Sequence, residues 1–305
     1  FIASAHSLQW QEITPVFCDI DSQTHHLDPK AIEKMITPRT TGILGVHTWG
    51  RPCNIEALSE LAQKYDLKLI FDAAHAFGSS FNGKMIGNFG SAEVFSFHAT
   101  KFFNTFEGGG VTTNDDDLAV KMRLMKNFGF AGYDNVIYIG TNGKMNEASA
   151  AMGLTNLESL DEFISINRMN YERYNNCLSH IRGLKVLQYD GKEKQNYQYI
   201  VIEVDALAAG LSRDDLMKIL HAENILARRY FYPGCHRMEP YRSYFPHSHL
   251  LLKQTGKIVN EVLSLPTGSS IDSSCIEAIC EIIRFALENA KDIRTKLSNE
   301  LHYEQ

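Results

Sequence analysis

The chain lacks most of the features that would place it in a class at once. Its six cysteines, Cys18, Cys53, Cys177, Cys235, Cys275 and Cys280, are scattered and include no C-x-x-C pair. That argues against a disulfide framework or a zinc site and suits thiols kept reduced in the cytoplasm. No apolar run approaches the roughly 20 residues of a membrane span, so no membrane association is expected. Positive charge is not in excess: 30 Lys and Arg face 36 Asp and Glu, for a net −6. A broad nucleic-acid-binding surface is therefore not expected, although a local basic pocket for a phosphorylated small molecule is allowed. No G-x-G-x-x-G follows the first strand-like run, which counts against a Rossmann-type nucleotide binder. Internal repeats, low-complexity stretches and a visible signal peptide are also missing. The chain begins at Phe1 rather than Met and opens inside what reads as a structural element, so further residues are expected upstream.

What is present is an ordinary globular composition, 305 residues with 44% hydrophobic and 22% charged. That length suffices for one large domain and a smaller one. Over residues 13 to 125, short apolar runs alternate with helical patterns. Ile13 to Cys18 reads as a strand, Pro29 to Ile36 as a helix capped by Asp28, and Thr41 to His47 as a strand. Ile55 to Tyr65 reads as a helix and Leu67 to Phe71 as a strand. This rhythm predicts an α/β domain with a mostly parallel sheet, whose ligands sit at the carboxyl ends of the strands. Glu147 to His180 reads as a long helical stretch, broken only weakly. Beyond it the pattern is α+β: strands at Tyr197 to Val204 and Ile225 to Tyr230, a helix at Ser212 to Glu223, and a terminal helix at Ser274 to Asp292. The expected division is a large domain over 1–165 and a smaller C-terminal domain over 166–305.

Two stretches carry candidate chemistry. In Leu69-Ile70-Phe71-Asp72-Ala73-Ala74-His75-Ala76, an apolar strand delivers Asp72 at its carboxyl end. Asp72 could merely cap the turn, or it could face a cationic ligand atom and keep a pyridine nitrogen protonated. A protonated pyridine ring is an electron sink for a carbanion at an adjoining carbon. His75 could bond a ring substituent, but taken alone it reads more readily as a satisfied structural histidine. In Phe95-Ser96-Phe97-His98-Ala99-Thr100-Lys101, a second strand-like run ends in one lysine. A lone lysine is usually solvated. In a partly desolvated aromatic site its pKa falls and it becomes a usable nucleophile. Ser96 could donate to a phosphate oxygen, and Gly108-Gly109-Gly110 suggests backbone that must approach something closely.

Together these residues resemble the DegT/StrS family of nucleotide-sugar aminotransferases. The resemblance extends to Val46-His47-Thr48-Trp49-Gly50-Arg51-Pro52, to Asn142-Gly143-Lys144-Met145-Asn146-Glu147 and to Ser264-Leu265-Pro266, and so covers nearly the whole chain in order. It implies the aspartate-aminotransferase-like architecture, fold type I of the pyridoxal-phosphate enzymes, with a smaller α+β C-terminal domain. It implies pyridoxal 5'-phosphate held as a Schiff base on Lys101, with Asp72 at the pyridine nitrogen and His75 near the ring hydroxyl. It also implies Ser96 on the phosphate and Asn142 reaching the same phosphate from the neighbouring subunit of a homodimer. Lys144 stands where the family more often has Arg.

Lys101 further sets the chain apart from related dehydratases, which carry His there. L-Glutamate would be the amino donor and a dTDP-linked keto sugar the acceptor. The products are deoxysugars of the kind used in lipopolysaccharide O-antigen. Arg228, Arg229, Tyr232 and His236 combine cations with aromatic rings, which suits a diphosphate and a base or sugar. Taken alone, that stretch reads as a solvated basic face over an aromatic core. It resembles the subgroup that aminates C4 of dTDP-4-keto-6-deoxyglucose. Amination at C3 of a dTDP-3-keto-6-deoxyhexose, or a non-catalytic ligand-binding or regulatory protein on the same fold, are the alternatives.

Overall fold

A computed structural model describes residues 1–303, with side chains described through residue 296. The chain divides into two compact units. One consists of Ile32–Phe163 and Asp190–Asn196, the other of Phe1–Ala31, Ile164–Tyr189 and the chain from Tyr197 onward. Among the described residues no helix is long and apolar enough to cross a membrane.

The first unit is built on a four-stranded sheet in the order Gly42–Val46, Lys68–Asp72, Ala92–Ser96, Gly109–Thr112. The first three strands run parallel and the last is antiparallel, so the sheet is mostly parallel, as expected. The register sets Val46 opposite Asp72 and Asp72 opposite Val94, which places Asp72 at the carboxyl edge of the sheet. The helix Ile55–Lys64 turns Ile55, Leu58, Leu61 and Ala62 inward, a helical stripe facing the sheet. Asn54 caps it by accepting from Ala57 N at 3.1 Å. Leu58 and Phe71 are fully buried; each such side chain contributes about 1.5–3 kcal/mol by leaving water.

The second unit holds an antiparallel sheet in the order Val262–Leu265, Ile200–Val204, Leu184–Val186. Its core gathers Tyr174, Leu178, Ile200, Ile202, Leu216, Leu220, Leu263, Ile276 and Ile283. The helix Arg213–Ala222 opens with a capping box between Ser212 and Asp215. The N-terminal segment belongs to this unit because its polar side chains are tied there. Asp19 caps the helix Lys253–Glu261 by accepting from Gln254 N at 2.9 Å and Thr255 N at 2.8 Å. Buried His25 lies 3.2 Å from Glu203.

Four expectations about elements are corrected. Ile13 to Cys18 forms no strand; Pro15 lacks a ladder donor, and only an isolated bridge, Ile20 to Leu27, follows. Ile225 to Tyr230 is reduced to one bridge between Arg228 and Ser264. The long helix is two, Glu147–Glu158 and Leu160–Leu178, divided at Ser159, whose ψ of 9° leaves the helical range. The terminal helix likewise breaks at Asn289 into Ser273–Glu288 and Ala290–Tyr303.

Candidate functional site

Asp72 ends its strand. Beyond it the chain turns away from the sheet: Ala73 N donates to Val94 O at 2.8 Å, and Ala76 N to Ala73 O at 2.9 Å. The Asp72 carboxylate accepts from Ala74 N at 3.0 Å, which orients it over this turn. The residue is held from behind by His47, whose N–H donates to Asp72 O at 3.0 Å and whose ring stacks on Phe71 at 4.9 Å. The Nδ1 atom of His47 accepts from Cys53 N at 3.1 Å, so any proton of the neutral ring sits on Nε2. That atom points at the fully buried Glu93, 3.4 Å away.

Lys101 lies in the loop that follows the neighbouring strand. The loop is closed by Thr105 N donating to Phe97 O at 2.9 Å and tied by Asn104 Nδ2 to Lys101 O at 3.2 Å. The chain must then return beside Phe95. Glycine is required there, because a Cβ at Gly109 would sit 2.7 Å from Phe95 O. Three aromatic rings bind the Lys101 loop to the turn after Asp72. Phe77 stacks on Phe103 at 4.4 Å, and Phe97 meets Phe103 edge-on at 5.0 Å.

The electrostatics follow from this packing. Burial pushes the Lys101 amine below the ordinary lysine range, and the Asp72 carboxylate opposes that shift. His75 is 8% exposed. Burial first, and then the charge of Lys101, push it well below the ordinary imidazole value, so it is neutral at pH 7. The arrangement is a lysine of lowered pKa, a carboxylate within electrostatic reach and a neutral imidazole.

The expected site residues fall into three groups. Asp72, His75 and Lys101 gather at the carboxyl edge of the mostly parallel sheet, where Ser96 also ends its strand, opposite Gly109. Asn142 and Lys144 lie in an exposed stretch of the same unit. Asn142 bridges Asn127, while Lys144 Nζ donates to Asn127 Oδ1 at 3.1 Å and sits 4.8 Å over the Phe128 ring. Arg228, Arg229, Tyr232 and His236 belong to the other unit. Arg228 donates to Tyr230 OH at 2.6 Å. Arg229 pairs with Asp214 at 3.0 Å and lies 4.3 Å over Tyr232. His236 is 3% exposed, and its pKa is lowered to about 4 by burial and by Arg237 and His249. Phe77 and Phe103 were not singled out in the sequence, because nothing local marks an aromatic residue as the brace between two loops.

A model of the DegT/DnrJ/EryC1/StrS aminotransferase family matches residues 1–284. This chain belongs to that family. It is an aminotransferase, and relatives within the family bear out the sugar-nucleotide character expected above. The chain is 41% identical over 286 residues to a dTDP-4-amino-4,6-dideoxy-D-glucose transaminase of Shigella dysenteriae, covering 93% of this chain and 77% of that one. It is 35% identical to a GDP-perosamine synthase of Caulobacter vibrioides, covering 92% and 75%. Among solved structures, DesI in the presence of its TDP-sugar product superposes with a TM-score of 0.92 at 43% identity. That match spans 98% of this chain and 75% of DesI.

Proposed function

We propose that this aminotransferase uses pyridoxal 5'-phosphate to move an amino group from L-glutamate to C4 of dTDP-4-keto-6-deoxyglucose. The observation that carries the reading is a partly desolvated Lys101 amine within electrostatic reach of the Asp72 carboxylate, which ends its strand at the carboxyl edge of the sheet. The donor set fits the cofactor. Lys101 would hold its aldehyde carbon, Asp72 its ring nitrogen, His75 the neighbourhood of its hydroxyl and Ser96 its phosphate. When bound, the cofactor supplies an electron sink for the carbanion formed as the amino acid loses its α-proton.

The residues of this chain do the rest. Lys101 Nζ, its pKa lowered by burial, takes and returns the proton. Asp72 keeps the facing nitrogen cationic. His75, neutral, can bond an oxygen without adding a second positive charge beside Lys101. The substrate reading is supported by the names of the relatives and by the aromatic and cationic stretch Arg228 to His236.

The same reading includes a homodimer. Residues 106–148 bury almost nothing within one chain. A second copy would cover this stretch and bring Asn142 to the partner's phosphate site. Purified holoenzyme assayed with L-glutamate and each keto sugar tests the substrate. Turnover of the 4-keto compound is expected, and turnover of the 3-keto compound alone would reject the assignment.

A further inference from the structure

Asn196 is fully buried and spends both hydrogens of its amide on the turn after Asp72. Its Nδ2 donates to His75 O at 2.7 Å and to Phe77 O at 3.0 Å. Its Oδ1 packs against Gly50, in the loop after the strand Gly42–Val46. A Cβ added there would fall 2.7 Å from Asn196 Oδ1 and 2.7 Å from His75 O. Gly50 has a φ of +78°, and its carbonyl accepts from Ser79 Oγ at 3.0 Å. One amide thus fills the space between the loops that leave two adjacent strands at their carboxyl ends.

Asn196 is delivered by a seven-residue strap, Asp190–Asn196, flanked in sequence by residues of the other unit. The strap is fastened independently. Ser80 N donates to Lys194 O at 2.9 Å, Lys194 N donates to Ser80 Oγ at 2.8 Å, and Glu193 accepts from Ser80 Oγ and from Gly83 N at 3.3 Å. His75 and Phe77 lie in the turns after Asp72 and Ser80 opens the short strand Ser80–Phe81 that follows, so the strap grips this segment at both of its ends.

We propose that Asn196 is a positioning residue that fixes the main chain at 75–77 and thereby holds the buried His75 imidazole in place at the carboxyl edge of the sheet. The proposal rests on the reading of His75 and Lys101 as cofactor-facing residues. Its physical basis is that a buried carbonyl left without a donor draws in water or moves to find one. Either response would shift His75, which depends on burial for its neutral state. A role confined to stability would lower the melting point and leave the electrostatics of His75 alone.

The test compares wild type with Asn196→Ser, which removes both amide N–H donors. Gly50→Ala disturbs the same contact from the other side and serves as the second variant. The first readout is the proton NMR titration of His75 in the apoprotein, assigned with His75→Gln. The midpoint is expected to rise in both variants as water reaches the ring. The second is the dissociation constant for pyridoxal phosphate, expected to weaken about tenfold, the equivalent of one net hydrogen bond. The pH at which the bound cofactor's visible absorbance titrates should move as well. Exposed Lys192→Ala, on the same strap, should change none of these. Folded variants whose His75 midpoint and cofactor affinity match wild type would overturn the proposal. A wild-type chain that carries no cofactor on Lys101 would defeat the cofactor reading instead, and the apoprotein titration would still decide the role of Asn196.

Discussion

Two helices of this chain show what a single copy can and cannot bury. Ser273–Glu288 places Ile276, Ile279, Cys280, Ile283 and Ala286 in the core at helical spacing. Asp116–Met125 buries no residue at all. The chain after it is as bare: Tyr133 is 101% and Ile139 94% exposed. Exposed apolar groups gathered in one region are the kind of surface the proposed second copy would cover. The first helix belongs to a unit whose apolar residues find one another within the chain. The second belongs to the unit that carries Asp72 and Lys101, where part of the apolar surface stays exposed in one copy of the chain. Apolar burial is thus loaded unequally between the two units.

Substitutions on the two sides should separate these roles. Lys101→Ala has the largest expected effect: transamination falls to background while the unfolding midpoint is unchanged, as activity assays beside thermal melts would show. Ile283→Ala should do the reverse, costing about 2–5 kcal/mol in urea unfolding through the cavity it leaves. Asp72→Asn should lower kcat about 10²–10³-fold through the lost charge, with the fold intact. If it runs at wild-type speed, the electron-sink role is wrong. Ile139→Asp should halve the mass seen by light scattering and change monomer stability by no more than about 0.5 kcal/mol. Were it to cost as much as Ile283→Ala, the contrast between the two regions would collapse.

A separate effect appears only at acid pH, and each unit holds a buried histidine that bears on it. Both His75 and His236 titrate below the ordinary imidazole value, His236 at about 4. Unfolding lets each ring take up a proton, so stability is full above about pH 6.5 and is lost as pH falls below it. His236→Gln should remove about 1.4 kcal/mol per pH unit of that loss between pH 6.5 and 4, and nothing above it. An unchanged slope would show that His236 is not buried in its neutral form.

Much of the fold was legible because the signals were local. The runs ending at Val46 and Asp72 are apolar, bounded by turns and separated by an amphipathic helix, and they became adjacent parallel strands. Asp72 and Lys101 stood out because each closes or follows such a run. The failures share a cause. Ile13 to Cys18 has strand composition but no strand to pair with, and composition does not report neighbours. The helix breaks at Ser159 and Asn289 are single-residue departures that periodicity averages away. The brace of Phe77, Phe97 and Phe103, and the amide of Asn196 under His75, act across loops. Asn196 lies 121 residues from its acceptor, and no window of sequence contains both.

The central claim is that the Lys101 amine carries the cofactor covalently. Reducing the holoenzyme with borohydride and mapping the modified peptide tests it most directly. The account predicts one phosphopyridoxyl group, on the peptide containing Lys101 and absent from Lys101→Ala. A stable adduct on any other lysine, or on none, would contradict it.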